Sequence, residues 1–382
     1  MANVVMVAGE ASGDLLGSRL IETLRRRIPA AGFAGIGGPR MIAAGFDSWF
    51  PQERLAVRGF VEVLRHLREI LALRRQLARR ILADRPQLFL GIDSPEFNLG
   101  LERQLKAAGV RTAHMVSPQV WAWRRGRVRS IGQSVSQLLV LFPFEQALYR
   151  EAGIGVSYVG HPLADEIPEQ VDRAAVRAEL RLPARAKVVT VLPGSRQSEI
   201  EMMADVFIEA AKLIARASPE VRFLVPLVTR ETRELFEQAV YRRDARELPL
   251  SLLFGHARDA LAACDVALAA SGTVTLEAAL SHRPLVIAYR VAPLSATIAR
   301  WLVRVPYIGL PNILCGEAVA PEFLQEDATP ENLAQAVANL LADEPVRRRI
   351  EHRFERLHHE LRCDAAERAA DALVPFLAPG AA

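Results

Sequence analysis

The sequence predicts an α/β protein built from two doubly wound parallel-sheet domains, and three observations carry that prediction. Short apolar runs alternate with longer segments of helical period along the chain, which is how successive βαβ units read in sequence. The pattern pauses once, in the Pro-rich and acid-rich segment from His161 to Arg185, and then restarts. A chain of 382 residues is also too long for one ordinary hydrophobic core and comfortable for two.

In the first domain, strands are expected at Val4–Ala8, Gly32–Gly37, Gln87–Asp93, Thr112–Ser117, Leu138–Phe142 and Tyr158–Gly160. In the second they are expected near Val188–Leu192, Phe223–Leu227, Leu250–Phe254, Val266–Ala269 and Leu285–Ala288, with helices between most of them. The last stretch, Pro330 to Leu377, is helical by period and interrupted at Pro345 and at the turn Arg362–Asp364. The expected division is therefore 1–165, 166–345 and 346–382, the last being helices that pack across the domains or between subunits. Two such domains facing each other leave a central cleft at the carboxyl ends of their strands, where open α/β sheets bind ligands.

Composition narrows the class. Hydrophobic residues make up 51% and charged residues 24%, which excludes a disordered chain. The net charge is only +4, but arginines bunch at Arg74, Arg75, Arg79 and Arg80 and again at Arg124, Arg125, Arg127 and Arg129. Guanidinium clusters of this kind suit phosphate, whether from a ligand, a lipid surface or a nucleic acid. The cysteines Cys264, Cys315 and Cys363 form no close pair, which points to a reducing compartment. The first apolar run breaks at Gly9-Glu10, too early for a signal peptide, and no uncharged apolar stretch approaches the roughly 20 residues of a membrane span. A cytoplasmic protein, at most peripheral on a membrane, is expected.

Five strand-to-helix junctions carry candidate chemistry. Gly9-Glu10-Ala11-Ser12-Gly13-Asp14 follows the first strand; it is either a structural turn or a wall of an acceptor site, and its glycine spacing disfavours a dinucleotide. In Gly91-Ile92-Asp93-Ser94-Pro95-Glu96-Phe97-Asn98, a strand delivers the Asp93 carboxylate to its carboxyl end. That group can take a proton from an attacking hydroxyl, unless Asp93 or Glu96 only caps the next helix. Ser117-Pro118-Gln119-Val120-Trp121-Ala122-Trp123-Arg124-Arg125 offers aromatic faces for a sugar or lipid beside guanidiniums for a phosphate, or else part of a core. Leu192-Pro193-Gly194-Ser195-Arg196 presents backbone N–H groups and a full positive charge at a helix start, which fits a diphosphate; a surface turn is the alternative. Ser271-Gly272-Thr273-Val274-Thr275-Leu276-Glu277 repeats the arrangement, with Glu277 one turn in for ribose hydroxyls or for the helix dipole.

If both second-domain loops grip one pyrophosphate, Arg196 and the fixed dipoles stabilise the leaving group without a metal; no Asp-x-Asp element or His/Cys spacing calls for a cation, and no cofactor is expected. The scattered histidines read as structural, although His161 stands at a strand end near the cleft. A further candidate is the helix from Gly59 to Ala83. Its apolar stripe beside Arg65, Arg68, Arg74, Arg75, Arg79 and Arg80 either packs on a sheet or docks on anionic lipid.

Taken in order, these strings resemble the lipid-A-disaccharide synthase family. The agreement runs through 9–14, 91–95, Val116–Arg124, Phe142–Glu145, Gly160–Asp165, Leu192–Arg196, Ser271–Glu277, Ala288–Arg290 and Leu310–Asn312. The resemblance implies a GT-B fold and an inverting transfer from UDP-2,3-diacylglucosamine to the 6-hydroxyl of 2,3-diacylglucosamine 1-phosphate. It implies Asp93 as general base and Arg196 as diphosphate stabiliser. Gly194, Ser195, Ser271, Gly272, Thr273, Glu277, Tyr289 and Asn312 would hold the nucleotide; Glu10, Ser12, Gly13, Asn98, Ser117, Trp121 and Arg124 would hold the acceptor. It further implies attachment to the inner leaflet of the cytoplasmic membrane through Val61, Val63, Leu64, Leu67, Ile70 and Leu71, and a homodimer. Glu96 stands where the family commonly has Asp, which puts a catalytic part for it in doubt. A UDP-sugar 2-epimerase on the same fold, and a non-catalytic basic protein binding membrane or RNA, are the competing readings; no RNA-recognition aromatic motif supports the latter, so no nucleic acid partner is expected.

Overall fold

In the computed structural model the described residues are 3–55, 60–120, 125–183, 185–291 and 305–377, with the side chains at 60–66 and 125 set aside. By their contacts they divide into two compact units, Met1–Asp165 with Leu361–Ala382, and Glu166–Glu360.

The first unit carries β1 (Asn3–Ala8), β2 (Gly32–Ile36), β3 (Asp47–Phe50), β4 (Leu88–Ile92), β5 (Thr112–Met115), β6 (Gln137–Val140) and β7 (Val156–Tyr158), in the order β3-β2-β1-β4-β5-β6-β7. All neighbours are parallel, with Ala8 opposite Ile92 across β1 and β4. The second carries β8 (Lys187–Leu192), β9 (Val221–Leu227), β10 (Leu250–Phe254), β11 (Val266–Ala270), β12 (Leu285–Tyr289) and β13 (Glu322–Leu324), ordered β10-β9-β8-β11-β12-β13 and again parallel throughout. The runs expected from the sequence are found, the last of the first unit shifted back to Val156–Tyr158. The sequence reading missed β3 and β13, because each is a short, half-buried edge strand with no apolar run.

A parallel sheet must be covered on both faces. In the first unit, helices Ala11–Arg27 and Ala365–Leu377 cover one face: Leu20, Leu24, Ala369, Ala370 and Leu373 pack with Val4, Met6 and Leu90. Helices Phe60–Asp84 and Pro95–Ala107 cover the other, with Leu73, Leu77, Ile81, Leu101 and Leu105 against Val5, Val7 and Phe89. The C-terminal segment thus completes the core of the first unit. Its return is pinned where it arrives: His161 N donates to Leu361 O at 2.9 Å, and the Asp165 carboxylate accepts from Cys363 N, Asp364 N and Ala365 N at 3.1, 3.0 and 2.7 Å, capping the last helix. The earlier break falls at Asp343, and Pro345 stands in the first turn of helix Glu344–Leu361, where proline is well tolerated.

In the second unit, helix Arg173–Glu179 is clasped to the start of β11. Arg173 and Arg177 reach Asp265 at 2.5 and 2.9 Å, and the same carboxylate accepts Val188 N at 2.8 Å, tying β8 to β11. Burial works against the charged Asp265, but Arg173, the Val188 N–H and Arg177 outweigh it and hold the carboxyl below its usual range. Its stabilisation is therefore present above the unfolded carboxyl value, about 4, and is lost as pH falls through the lower folded value. Replacing Asp265 by Ala leaves both guanidiniums without a carboxylate, though each still donates to Ala263 O, and is expected to cost about 3 kcal/mol at neutral pH. Thermal unfolding of the wild type and of Asp265→Asn should show the gap between them narrowing as the pH falls below about 4.

Candidate active site

Each sheet reverses its strand order once, between β1 and β4 and between β8 and β11. Loops leaving such a pair of strands diverge to opposite faces and open a crevice at their carboxyl ends. Both crevices are lined by the residues singled out from the sequence.

In the first unit, Gly9 to Gly13 follow β1 and Asp93 follows β4. Asp93 and Ser94 are consecutive non-glycine residues in the left-handed region, φ +55° and +45°, a conformation that costs on the order of 1–3 kcal/mol per residue. Five hydrogen bonds hold it. Asp93 N donates to Met115 O at 2.8 Å, Asn98 Nδ2 donates to Asp93 O at 2.8 Å, Ser94 N donates to Asp93 Oδ1 at 2.8 Å, and Phe97 N and Asn98 N donate to Ser94 O at 3.0 and 3.1 Å. The remaining oxygen, Oδ2, meets the Ser12 hydroxyl at 3.5 Å. Asp93 is half-buried, so one carboxylate oxygen stays available at the mouth of the crevice.

The other first-unit candidates separate into those at the crevice and those built into the scaffold. Ser12 and Gly13 lie beside Asp93; a β-carbon on Gly13 would stand 3.2 Å from that of Ala8. Glu10 is half-buried and its carbonyl accepts from Gln52 Nε2 at 2.8 Å. Asn98 is fully buried, and its amide also donates to Val7 O at 3.3 Å, so it supports the Asp93 turn from below. Ser117 is buried too, 2.6 Å from the Tyr149 hydroxyl, which burial pushes up to about 12. Glu96 is exposed, 3.6 Å from Arg127. His161 is buried against Phe142; burial lowers it to about 4, so it is neutral at physiological pH, and its Nδ1 accepts from Leu163 N at 3.2 Å. Trp121 and Arg124 lie outside the described residues.

In the second unit, the loops after β8 and β11 line one cavity of about 390 Å³ with Tyr289 at the end of β12. Gly194 has φ +127°, and a β-carbon there would lie 2.4 Å from Glu199 Cβ, so only glycine lets the loop fold back on its helix. Ser195 and Arg196 are exposed at the start of helix Gln197–Ala217. Glu199, which the sequence reading passed over, accepts from Ser195 N at 2.8 Å, Arg196 N at 3.2 Å and the Arg196 guanidinium at 3.4 Å. Its signal was there: a Glu three residues into the helix forms a capping box. Helix Thr273–Leu280 has no side-chain cap, so its N-terminal dipole opens into the cavity at Gly272 and Thr273, with Ser271 beside them. Glu277 borders the same cavity, and burial raises its carboxyl despite Arg258.

Asn312 stands apart from this cavity. It is fully buried, its Nδ2 donates to Ala320 O and to Glu322 Oε1 at 2.7 Å each, and its Oδ1 accepts from Ala320 N at 2.8 Å. These bonds commit the amide to joining the 310–322 loop to β13.

On helix Phe60–Asp84, Leu67 is exposed and Ile70 and Leu71 are half-buried, while Leu73, Leu77 and Ile81 form the core. The side chains of Val61, Val63 and Leu64 lie outside the described ones. Among the described residues, no helix is long and apolar enough to cross a membrane.

Known proteins agree over nearly the whole chain. The family described as lipid-A-disaccharide synthetase matches residues 4–373. The lipid-A-disaccharide synthase of Aromatoleum aromaticum is 54% identical over 374 residues, covering 98% of this chain and 96% of its own. That of Dechloromonas aromatica is 54% identical over 375 residues, with 98% of each covered. Among solved structures, WaaG, a glycosyltransferase involved in lipopolysaccharide biosynthesis, superposes with a TM-score of 0.58 at 14% identity, covering 97% of this chain and 99% of its own. That likeness speaks for the GT-B fold alone. With the full-length agreement it leaves one conclusion: the chain belongs to the lipid-A-disaccharide synthase family and is a glycosyltransferase.

Proposed function

We propose that the chain transfers 2,3-diacylglucosamine from its UDP derivative to the 6-hydroxyl of 2,3-diacylglucosamine 1-phosphate, with inversion, giving a β-1,6 disaccharide 1-phosphate and UDP. In this scheme the first unit handles the acceptor hydroxyl and the second the nucleotide. Asp93 Oδ2 takes the proton of the 6-hydroxyl as its oxygen bonds to the anomeric carbon and the bond from that carbon to the diphosphate oxygen breaks. The electron pair leaves with UDP, whose growing charge meets the open N-terminus of helix Thr273–Leu280 and the Arg196 guanidinium. Gly194 and Ser195 shape the loop around the diphosphate, with Ser271 opposite. Glu277 takes the ribose hydroxyls and Tyr289 borders the nucleotide. Glu10, Ser12 and Gly13 wall the acceptor side.

The observation that carries the role of Asp93 is its backbone: a strained left-handed turn, held by five hydrogen bonds, that leaves one carboxylate oxygen at the crevice mouth. A residue that only capped the following helix would need no such support. Attachment to the membrane surface belongs to the same proposal. Both substrates are acylated, and Leu67 is exposed on a helix whose Arg68, Arg75 and Arg79 are exposed too, a combination that suits anionic lipid.

Asp93→Ala is expected to keep the fold and its affinity for UDP by calorimetry while losing about 10²–10⁴ in kcat with labelled acceptor. A fully active Asp93→Ala enzyme, or UDP-sugar isomerised with no disaccharide formed, would overturn the scheme. Arg196→Ala should weaken both UDP binding and turnover; unchanged kinetics would put the diphosphate elsewhere. In co-sedimentation with anionic phospholipid vesicles, Leu67→Glu should lower the bound fraction without changing thermal unfolding, and equal binding would remove the helix from the membrane contact.

A further inference from the structure

Against the Asp93 turn lies a buried ionisable pair that the scheme above leaves unused. Glu102 on helix Pro95–Ala107 and His114 on β5 are both 0% exposed, with Glu102 Oε1 2.8 Å from His114 Nδ1. Glu102 Oε2 and His114 Nε2 have no hydrogen-bond partner among the described residues, and besides the bond between them the Gly91 backbone engages Glu102 and the Val116 backbone engages His114. The pair reaches β4 at Gly91, two residues before Asp93. Gly91 stands opposite His114 in the ladder, and a β-carbon on it would lie 2.2 Å from Glu102 Oε1. The absent side chain makes room for the carboxylate.

Each member adjoins one of the groups that hold the Asp93 backbone. His114 precedes Met115, whose carbonyl accepts Asp93 N at 2.8 Å. Glu102 follows Asn98 by one helical turn on the same face, and Asn98 Nδ2 donates to Asp93 O at 2.8 Å. The electrostatics link them as well. Burial raises the Glu102 carboxyl against the pull of His114. Burial alone would lower His114; the charge and hydrogen bond of Glu102, with a contribution from Asp93, leave it raised instead.

We propose that Glu102 and His114 are positioning residues for the transfer, their hydrogen bond setting the gap between helix Pro95–Ala107 and β5 and so holding Asp93 in the turn from which it reaches the acceptor hydroxyl. This rests on Asp93 being the base. Replacing a buried ion pair by apolar residues of similar size commonly leaves stability unchanged or improved, so a pair with no part in positioning could be removed without loss of rate. A base displaced by about 1 Å loses on the order of 10²-fold in rate.

The test is the double variant Glu102→Leu with His114→Leu, beside Glu102→Gln, which keeps an acceptor for the imidazole. The double variant is expected to unfold at or above the wild-type temperature and to bind UDP with the wild-type Kd, while its kcat falls about 10- to 100-fold at unchanged KM for the UDP-sugar. Glu102→Gln should stay within about threefold of wild-type kcat, since the bond is retained. A double variant with full kcat, one that loses UDP affinity in step with rate, or one too unstable to purify would each overturn the proposal. Asp93→Ala, assayed alongside, separates the two possible failures: if it is active, the base assignment is wrong; if it is inactive while the double variant is fully active, only the positioning role is wrong.

Discussion

Every functional feature of this chain depends on the reversal of strand order in two parallel sheets. Where β1 meets β4 and β8 meets β11, the connecting helices go to opposite faces, so the carboxyl ends of these strands lie open while the rest of the sheet is covered. Parallel strands point the same way, so each reversal also brings two helix N-termini close together. In the second unit this places the uncapped start of helix Thr273–Leu280 beside the Gly194–Arg196 loop. In the first it sets the Asp93 carboxylate beside Ser12. The same topology thus leaves an uncapped helix N-terminus open in one unit and a carboxylate in the other, and the residue types at the junctions decide which.

The carboxylate side carries the strain. Two left-handed residues together oppose the fold by a few kcal/mol, and each neutral hydrogen bond returns only about 1 kcal/mol net. Five bonds around Asp93 and Ser94 are thus of the right order to hold the turn. Buried polar residues supply that support: Asn98 directly, and Glu102 with His114 by fixing the helix and strand to which the turn is attached. Such groups are costly to bury and would not persist beneath an ordinary surface loop.

Much of this was legible in the sequence. Central strands such as Val4–Ala8 and Val188–Leu192 are buried on both faces and read as continuous apolar runs, and the glycine- and hydroxyl-rich junctions announced both crevices. The edge strands Asp47–Phe50 and Glu322–Leu324 escaped because they are held by one neighbour and carry no apolar signature. Asn312 and Ser117 read as ligand-binding polar residues in motifs, whereas the fold buries both and engages them with Ala320, Glu322 and Tyr149. Whether a polar side chain faces a ligand or its own scaffold depends on long-range packing, which local spacing does not encode. Glu102 and His114 are 12 residues apart, on a helix and a strand, and only the packing of that helix on the sheet brings them together.

The interleaved division of the chain bears on how it is born. The core of the first unit includes Ala369, Ala370, Leu373 and Leu377, and the helix that carries them leaves the ribosome only after the whole second unit. Domains generally fold as they emerge. Here the later-coded unit is contiguous and can finish while the earlier one waits, one face of its sheet still bare, for a helix translated after that unit. The nascent protein therefore exposes apolar surface for the time needed to translate the whole intervening unit, an interval in which a chaperone would have the most to shield.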